Sequence, residues 1–347
     1  METLSEIISF LQSSPSILGK RDIQTAAATV GQYVRGADGS QIRIGDDCAA
    51  IPDGKGYLLF AAEGIWPQLV ARDPWFAGWC AVMVNLSDIA AMGGSAIAIV
   101  DTLWSVSVEG SQQVWAGMQA AAAAYGVPIV GGHTNCHSDY DGLAVAVLGR
   151  AEQLITSFDA KPGEALMMAV DMAGNYHGDY AFWDAATAAE WGALRSHLSK
   201  LEELANLELC SAGKDISMGG LAGTLLMLCE ASGCGALLNL NKVPRPDGVK
   251  WTKWLTSFPS YGFLFSVPVK NVAAVEQLLV IDGVVCQMVG EVRLGTSVAL
   301  QLGDEQRLFW DLVQSPLTGF GASAGIGFGA DSGFVETDLG GHSLCLA

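Results

Sequence analysis

The sequence has few basic residues, and this scarcity limits its possible partners. Its 347 residues include 18 lysines and arginines against 36 aspartates and glutamates, which gives a formal net charge of -18. A surface this negative repels phosphate backbones and offers no basic patch to anionic lipids. The composition therefore predicts that the protein has no nucleic-acid partner and does not attach to a membrane.

Several signals of location and chemistry are also missing. The start of the chain, METLSE, is acidic where a signal peptide carries basic residues, and no apolar run spans a bilayer without glycine or charge. The 8 cysteines form no C-x-x-C pair, a pattern typical of buried thiols in a reduced compartment. The sequence predicts a cytoplasmic protein. No G-x-x-x-x-G-K-[ST] motif occurs, so an ATP site of the P-loop type is excluded.

What the sequence does contain is an alternation of helical and strand patterns, with enough apolar residues for two domain cores. The pattern predicts helices at 2–12, 20–35, 74–92, 109–125, 180–190, 196–207, 221–232, 247–256 and 271–280. It predicts strands at 57–62, 96–103, 127–130, 143–148, 165–170, 235–240, 261–267 and 284–292. We place the domains at 1–155 and 156–312, followed by a loose glycine-rich tail at 313–347.

Two polar side chains interrupt the apolar helix at 74–92. Asn85 and Asp88 are three residues apart and therefore neighbour each other on one side of the helix. Burying them is costly without partners. A metal ion held together with the acidic turn Asp46-Asp47 is one such partner. Capping or backbone hydrogen bonds near the helix end are the other, and the residues alone leave both interpretations open.

These segments together resemble the AIR synthase-related superfamily, most closely its thiamine-monophosphate kinase branch. The similar segments are GDDCA at 45–49, NLSDIAAMG at 85–93, IVGG at 129–132, KPGE at 161–164, DISMG at 215–219 and ASGCGA at 231–236. They occur in the family's order over almost all of residues 15–295. The combination most resembles uncharacterised AIR synthase-related proteins of cyanobacteria and other bacteria.

The resemblance implies an α/β fold of two PurM-like domains. The N-terminal domain is expected to pair with its twin in a dimeric β-barrel, and the C-terminal α/β domain to pack beside it. The resemblance implies ATP and Mg²⁺ as cofactors and a small molecule as substrate. The implied metal ligands are Asp46, Asp47, Asp88 and Asp215.

The remaining implied roles concern the nucleotide and the reaction. Asp46, Asp215 and Asn85 are candidate nucleotide contacts, and Gly131 and Gly132 let the backbone approach phosphate. The candidate catalytic residues are Asp47, Glu63 and His133, of which Glu63 and His133 face the substrate. The residues themselves leave two interpretations of Lys20 open, a phosphate contact or an exposed lysine at a helix start. Trp66 follows Glu63 closely and is a candidate wall of the substrate pocket.

Departures from the kinase pattern leave the reaction open. His133 and Met218 stand where that branch has aspartates, and neither provides the carboxylate that a hard cation prefers. The acidic residues of the branch's G-E-D-Y-E-L segment are absent at 259–264. The sequence therefore predicts an ATP-dependent enzyme that phosphorylates or activates a small polar substrate. The alternatives are an ATP-driven cyclisation or ligation, and a nucleotide-binding accessory protein without phosphotransfer.

Overall fold

The computed structural model describes residues 2–36 and 39–321 of the chain. Its first half contains, in chain order, α1 (Leu4–Ser13), α2 (Pro15–Leu18), a 3-10 turn (Gly19–Asp22), α3 (Ile23–Val30), β1 (Tyr33–Arg35), β2 (Gln41–Arg43), β3 (Ala49–Asp53), β4 (Gly56–Ile65), α4 (Pro67–Arg72), α5 (Pro74–Ala91), β5 (Ser95–Trp104), α6 (Val108–Tyr125), β6 (Ile129–Asn135) and β7 (Gly142–Ala151).

The second half begins with a strand buried along its whole length. Its elements are β8 (Ala165–Asp171), β9 (Asn175–Tyr176), β10 (Phe182–Asp184), α7 (Trp191–Asn206), β11 (Ala212–Asp215), α8 (Gly220–Ser232), β12 (Gly235–Asn239), a 3-10 turn (Leu240–Lys242), α9 (Trp251–Trp254), β13 (Phe258–Pro259), β14 (Gly262–Val267), a 3-10 turn (Val269–Asn271), α10 (Val272–Leu279), β15 (Val284–Arg293), β16 (Ser297–Leu302) and β17 (Glu305–Asp311).

The N-terminal half is built on a five-stranded sheet in the order β3-β4-β7-β5-β6. Burial alternates along β7, where Leu143, Val145 and Val147 are buried. This inner face packs against α5 and the outer face is open, the pattern of a sheet covered on one side. A single chain thus forms an open sheet with β3 and β6 at its edges, and the dimeric barrel stays a prediction.

Helix α5 follows its predicted bounds closely, because its local signals agree. Asp73 accepts a hydrogen bond from the Phe76 amide, and Pro74 occupies the first turn. The helix is buried from Phe76 to Ala91, and it packs closely on α6 at Gly78 and Gly117. A Cβ on Gly117 would lie 1.9 Å from the Trp75 carbonyl oxygen, so only glycine permits this approach.

The C-terminal half is built on a seven-stranded sheet in the order β11-β14-β8-β15-β12-β16-β17. Strands β14 and β8 are buried along their whole length, as expected for central strands covered on both faces. Apolar residues of α1, α8 and the sheet form one continuous core. Within the described ranges, no helix is long and apolar enough to cross a membrane.

The predicted helix at 180–190 is wrong. Residues Phe182–Asp184 form β10, which pairs with β13 in parallel and with β9 antiparallel. The Asp184 carboxylate accepts hydrogen bonds from the amides of Ala186 and Thr187, at 2.9 and 3.0 Å. These local bonds hold a turn in place of a helix.

Other boundaries differ for equally local reasons. In place of the helix predicted at 20–35, the chain forms a 3-10 turn and then α3. Gly31, which follows α3, has a positive φ of 71° and ends the helix. Strand β1 then pairs with β2. Strand β6 runs to Asn135, past the predicted end at residue 130. Strands β16 and β17 were not predicted. Residues 313–321 of the predicted tail pack on the protein, and residues 322–347 lie outside the described residues.

Candidate active site

A cavity of about 980 Å³ lies between the two halves of the chain, with walls from both. Its polar end contains the side chains of Asp46, Asp47, Glu63, Asp88, Lys20, Lys214 and Asp215. Its other end is largely aromatic. The volume is at the upper limit of ordinary ligand pockets, which gives room for more than one ligand.

Three carboxylates from distant parts of the chain meet at the polar end. Asp47 lies in the turn before β3, Asp88 in the last turns of α5, and Asp215 at the end of β11. One carboxylate oxygen from each lies within 4.8 Å of the others. Asp88 and Asp215 are almost fully buried, and the Asp88 Oδ2 atom has no hydrogen-bond partner. The fold therefore concentrates negative charge where water is scarce.

A buried lysine offsets part of this charge. The Lys214 ammonium forms an ion pair with Asp47, whose other oxygen accepts a 3.4 Å hydrogen bond from the Asp215 amide. Burial by itself would lower the pKa of Lys214, but the negative charges of Asp47, Asp46 and Asp215 outweigh it and raise that pKa. Lys214 is therefore charged and fixed in place.

The pKa values of the carboxyl groups are raised as well, because the same crowding disfavours their charged form. Burial, reinforced by the negative charge of Asp47, raises the pKa of Asp215 to about 7. Burial and then the charges of Asp215 and Asp47 raise the pKa of Asp88 well above its usual range. Buried carboxylates that lie this close together are stabilised in their charged form by a nearby positive charge. A divalent cation would supply that charge, and carboxylate oxygens are the ligands that such ions prefer.

Asp46 is placed beside the cluster, but its oxygens already have partners. It accepts a 2.9 Å hydrogen bond from the Ser157 amide and a 3.0 Å bond from the Asp47 amide. Burial and the neighbouring Asp47 raise its pKa to about 6. Asp46 thus joins the acidic turn to the segment between the two halves, and it is absent from the three-carboxylate group.

Two further charged groups border the cluster. Lys20 projects from the 3-10 turn into the cavity, where burial lowers its pKa and the charge of Asp215 partly restores it. Glu63 lies on β4, where burial raises its pKa while Lys20 lowers it. Among the described residues, neither side chain has a hydrogen-bond partner. Both groups are therefore available to a ligand.

The segment at 316–321 closes one side of the cavity. The buried Glu230 carboxylate accepts hydrogen bonds from the Leu317 amide (2.7 Å), the Thr318 amide (2.7 Å) and the Thr318 hydroxyl (2.6 Å). This anchor places Phe320 against Gly45 of the acidic turn. Gly45 has a φ of +106°, and a Cβ there would lie 2.5 Å from the Phe320 ring. Thr318 and Phe320, which line the cavity, are therefore part of the site.

Four predicted site residues lie apart from the cavity lining. Asn85 is fully buried in α5 and donates a 2.8 Å hydrogen bond to the Ala81 carbonyl, as in the backbone-bonding interpretation. Gly131, Gly132 and His133 are exposed on the edge strand β6. Within one chain, the structure thus brings together Asp46, Asp47, Glu63, Asp88 and Asp215 but not these four.

Comparison with known proteins decides the family. Residues 45–151 match the family description "AIR synthase related protein, N-terminal domain", and residues 163–303 match "AIR synthase related protein, C-terminal domain". The chain belongs to the AIR synthase-related family. It is 53% identical over 318 residues to the uncharacterized protein sll0787 of Synechocystis, covering 91% of this chain and 98% of that one.

Solved structures share the two-domain α/β fold of this AIR synthase-related protein. One is described as "AaThiL complexed with AMPPCP and TMP", with a TM-score of 0.58, 19% identity, and coverage of 77% of this chain and 92% of that one. Another is Thermotoga maritima PurL complexed with ATP, with a TM-score of 0.67, 17% identity, and coverage of 88% and 53%. At these identities the likeness is one of fold, and it confirms the predicted two-domain α/β architecture, whereas the dimeric β-barrel stays a prediction.

Several residues of the site were missed in the sequence. Lys214 directly precedes Asp215 in a buried strand, and a lysine in such a strand is a signal that could have revealed it. Phe320 lies in the segment for which the sequence predicts a loose tail. The aromatic residues Tyr180, Phe182 and Phe258 come from segments with no family motif, so only the fold shows that they share a cavity.

Proposed function

We propose that this protein binds ATP with Mg²⁺ in the cavity and uses the γ-phosphate to phosphorylate or activate a small polar substrate, as a thiamine-monophosphate kinase does. The observation that carries the proposal is the convergence of Asp47, Asp88 and Asp215. The five carboxylates and two ammonium groups at the polar end leave a formal charge of -3. A site with this charge attracts divalent cations directly. It can bind a triphosphate only when such cations lie between the phosphates and the carboxylates.

The residues present fit a magnesium ion. Asp47, Asp88 and Asp215 would hold it, and the unpartnered Oδ2 of Asp88 provides a ligand atom that has no other use in the structure. When bound, the ion supplies positive charge to the phosphate oxygens. Lys214 keeps the Asp47 carboxylate in position, and Lys20 adds a second positive charge for the phosphates. Asp46 fixes the turn that carries Asp47.

Glu63 is the proposed acid-base group for the acceptor. Its raised pKa brings it nearer to neutral pH, where a carboxylate can accept a proton from an attacking group. It lies next to Lys20 and the Asp47 charge and therefore faces the position of a terminal phosphate. Transfer then depends mainly on positioning and electrostatics.

We further propose a homodimer formed through the five-stranded sheet. Phe60, Val100 and Leu148 are 50%, 41% and 37% exposed, and the strand register places them on the same open face. A second copy of the sheet would cover this face. The proposed phosphate contacts at Gly131 and Gly132, and the substrate-facing role of His133, depend on this dimer.

The family comparisons support ATP as the nucleotide. The structures similar in fold include one described with AMPPCP and TMP and one with ATP. Calorimetric titration of ATP in the presence of Mg²⁺ tests the proposal. We expect saturable binding that EDTA abolishes and that Asp47→Asn weakens at least tenfold. Binding that is absent, or equally strong in EDTA and in Asp47→Asn, contradicts it.

One observation favours a second candidate, a nucleotide-binding accessory protein without phosphotransfer. Met218 lines the cavity and is 40% exposed at the position where the kinase branch has an aspartate. Thioether sulfur does not bind a hard cation. Release of ADP in a screen of acceptors excludes this candidate. ADP with free phosphate and no phosphorylated product indicates the ATP-driven cyclisation or ligation.

A further inference from the structure

The far end of the cavity is an aromatic chamber formed by Trp66, Phe76, Tyr180, Phe182 and Phe258. Trp66 and Phe76 come from the N-terminal half and the other three from the C-terminal half. None of them belongs to the carboxylate cluster. The chamber is continuous with that cluster, so one elongated ligand can reach both ends.

The rings form a connected wall with defined geometry. The Trp66 and Tyr180 rings meet edge to face at 6.4 Å, the Tyr180 and Phe182 rings stack at 5.4 Å, and Phe182 meets Phe258 edge to face at 6.1 Å. Such a wall offers flat apolar surfaces at two orientations. Planar rings gain most from such surfaces, through stacking and edge contacts.

The charges near the chamber disfavour an anionic occupant. Asp179 directly precedes Tyr180, Asp184 lies two residues after Phe182, and both aspartates line the cavity. Backbone amides compensate Asp184, whereas Asp179 is exposed and has no hydrogen bond within the described residues. The cavity lining, as far as the chain is described, contains no arginine, and its two lysines lie at the carboxylate end.

Aromatic faces and a free carboxylate attract positive charge and repel negative charge. We propose that the acceptor substrate contains a planar ring without negative charge, either neutral or cationic, which binds in the aromatic chamber. Its reactive polar group then points toward Glu63 and the carboxylate cluster. This inference rests on the proposed ATP-dependent reaction. An inorganic anion or a simple sugar phosphate has no planar ring to occupy the aromatic chamber, so neither is the expected substrate.

Three probes that share a benzyl or phenyl ring test the charge preference on the full-length protein. They are benzyltrimethylammonium, benzyl alcohol and benzoate, and binding is measured by saturation-transfer NMR titration. We expect the cation to bind most tightly, the alcohol more weakly, and benzoate not at all. Benzoate that binds as tightly as the cation overturns the proposal, whatever any variant does.

Variants then locate the binding. Trp66→Ala and Phe182→Leu are expected to weaken the cation about three- to tenfold, the scale of one lost aromatic contact. Trp191→Ala is the matched control, because Trp191 is 52% exposed at the start of α7 and lies outside the cavity. Equal affinity in the wild type, Trp66→Ala and Phe182→Leu overturns the proposal.

Titration of ATP with Mg²⁺ into the same variants separates the two ligands. We expect Trp66→Ala to bind ATP as the wild type does, and ATP not to displace the benzyl cation. Displacement together with a loss of ATP affinity in Trp66→Ala places the adenine in the chamber and refutes the inference. Ring binding without any ATP binding refutes the proposed function and retains the ring site.

Discussion

Replacing Asp88 with asparagine should stabilise the metal-free protein while it removes the response to Mg²⁺. The Asp88 carboxyl is buried, one of its oxygens has no partner, and it faces Asp47 and Asp215. The carboxylate oxygens of the cluster lie within 4.8 Å of one another. Two full negative charges at that separation repel each other by about 3 kcal/mol at an effective dielectric constant near 20. Partial protonation relieves some of this repulsion, so we expect a gain of about 1–3 kcal/mol.

The assay is thermal unfolding at pH 8 with and without Mg²⁺. Without Mg²⁺, we expect Asp88→Asn to raise the unfolding temperature by about 2 °C for each kcal/mol of added stability. The variant should also lack the further rise that Mg²⁺ causes in the wild type. Asp101→Asn is the matched control, because Asp101 is also buried with unpartnered oxygens but lies outside the cavity. It should keep the full Mg²⁺ response. An Asp88→Asn protein that is less stable than the wild type and still responds to Mg²⁺ refutes the reasoning.

Four further outcomes are expected. Because the pKa of Asp215 is raised from 3.8 to about 7, the metal-free protein should lose stability as the pH rises through that range. The stabilisation by Mg²⁺ should grow over the same pH range. An equal Mg²⁺ effect at pH 5.5 and pH 8 contradicts this prediction. Gly117→Ala should cost about 1–3 kcal/mol in urea unfolding, since its Cβ meets the Trp75 carbonyl; an unchanged midpoint is the contrary result. Glu230→Gln should speed hydrogen exchange at residues 316–321 and cost about 2 kcal/mol, because charged hydrogen bonds are lost there. Leu148→Lys should shift a homodimer to monomer in sedimentation, and an unchanged mass argues against the sheet as the interface.

The sequence predicted elements well where several local signals agreed. In α5, an aspartate cap, a first-turn proline, an apolar period and a terminal glycine pair all point to the same helix, and its bounds match within one residue. Residues 180–190 look helical by composition, but the hydrogen bonds of Asp184 and pairing with a strand some 75 residues later decide otherwise. Pairing at that distance leaves no local signal.

The same contrast holds within the site. Asp47, Asp88 and Asp215 were identified because each lies in a motif similar to a family motif, and the fold brings them together. Lys214 and Phe320 carry no motif, and their roles depend on contacts made across the chain. Gly131, Gly132 and His133 match motif positions yet lie on an exposed edge strand, since one chain alone does not place them at the cavity.

The most direct test of the central claim is a crystal structure of the protein with Mn²⁺ and the non-hydrolysable analogue AMPPCP. Manganese has an anomalous signal that locates it without ambiguity, and it accepts the same oxygen ligands as magnesium. We predict an anomalous peak within bonding distance of Asp47, Asp88 and Asp215, with the triphosphate of the analogue on its other side. A peak elsewhere, or a nucleotide bound away from these three carboxylates, contradicts the account.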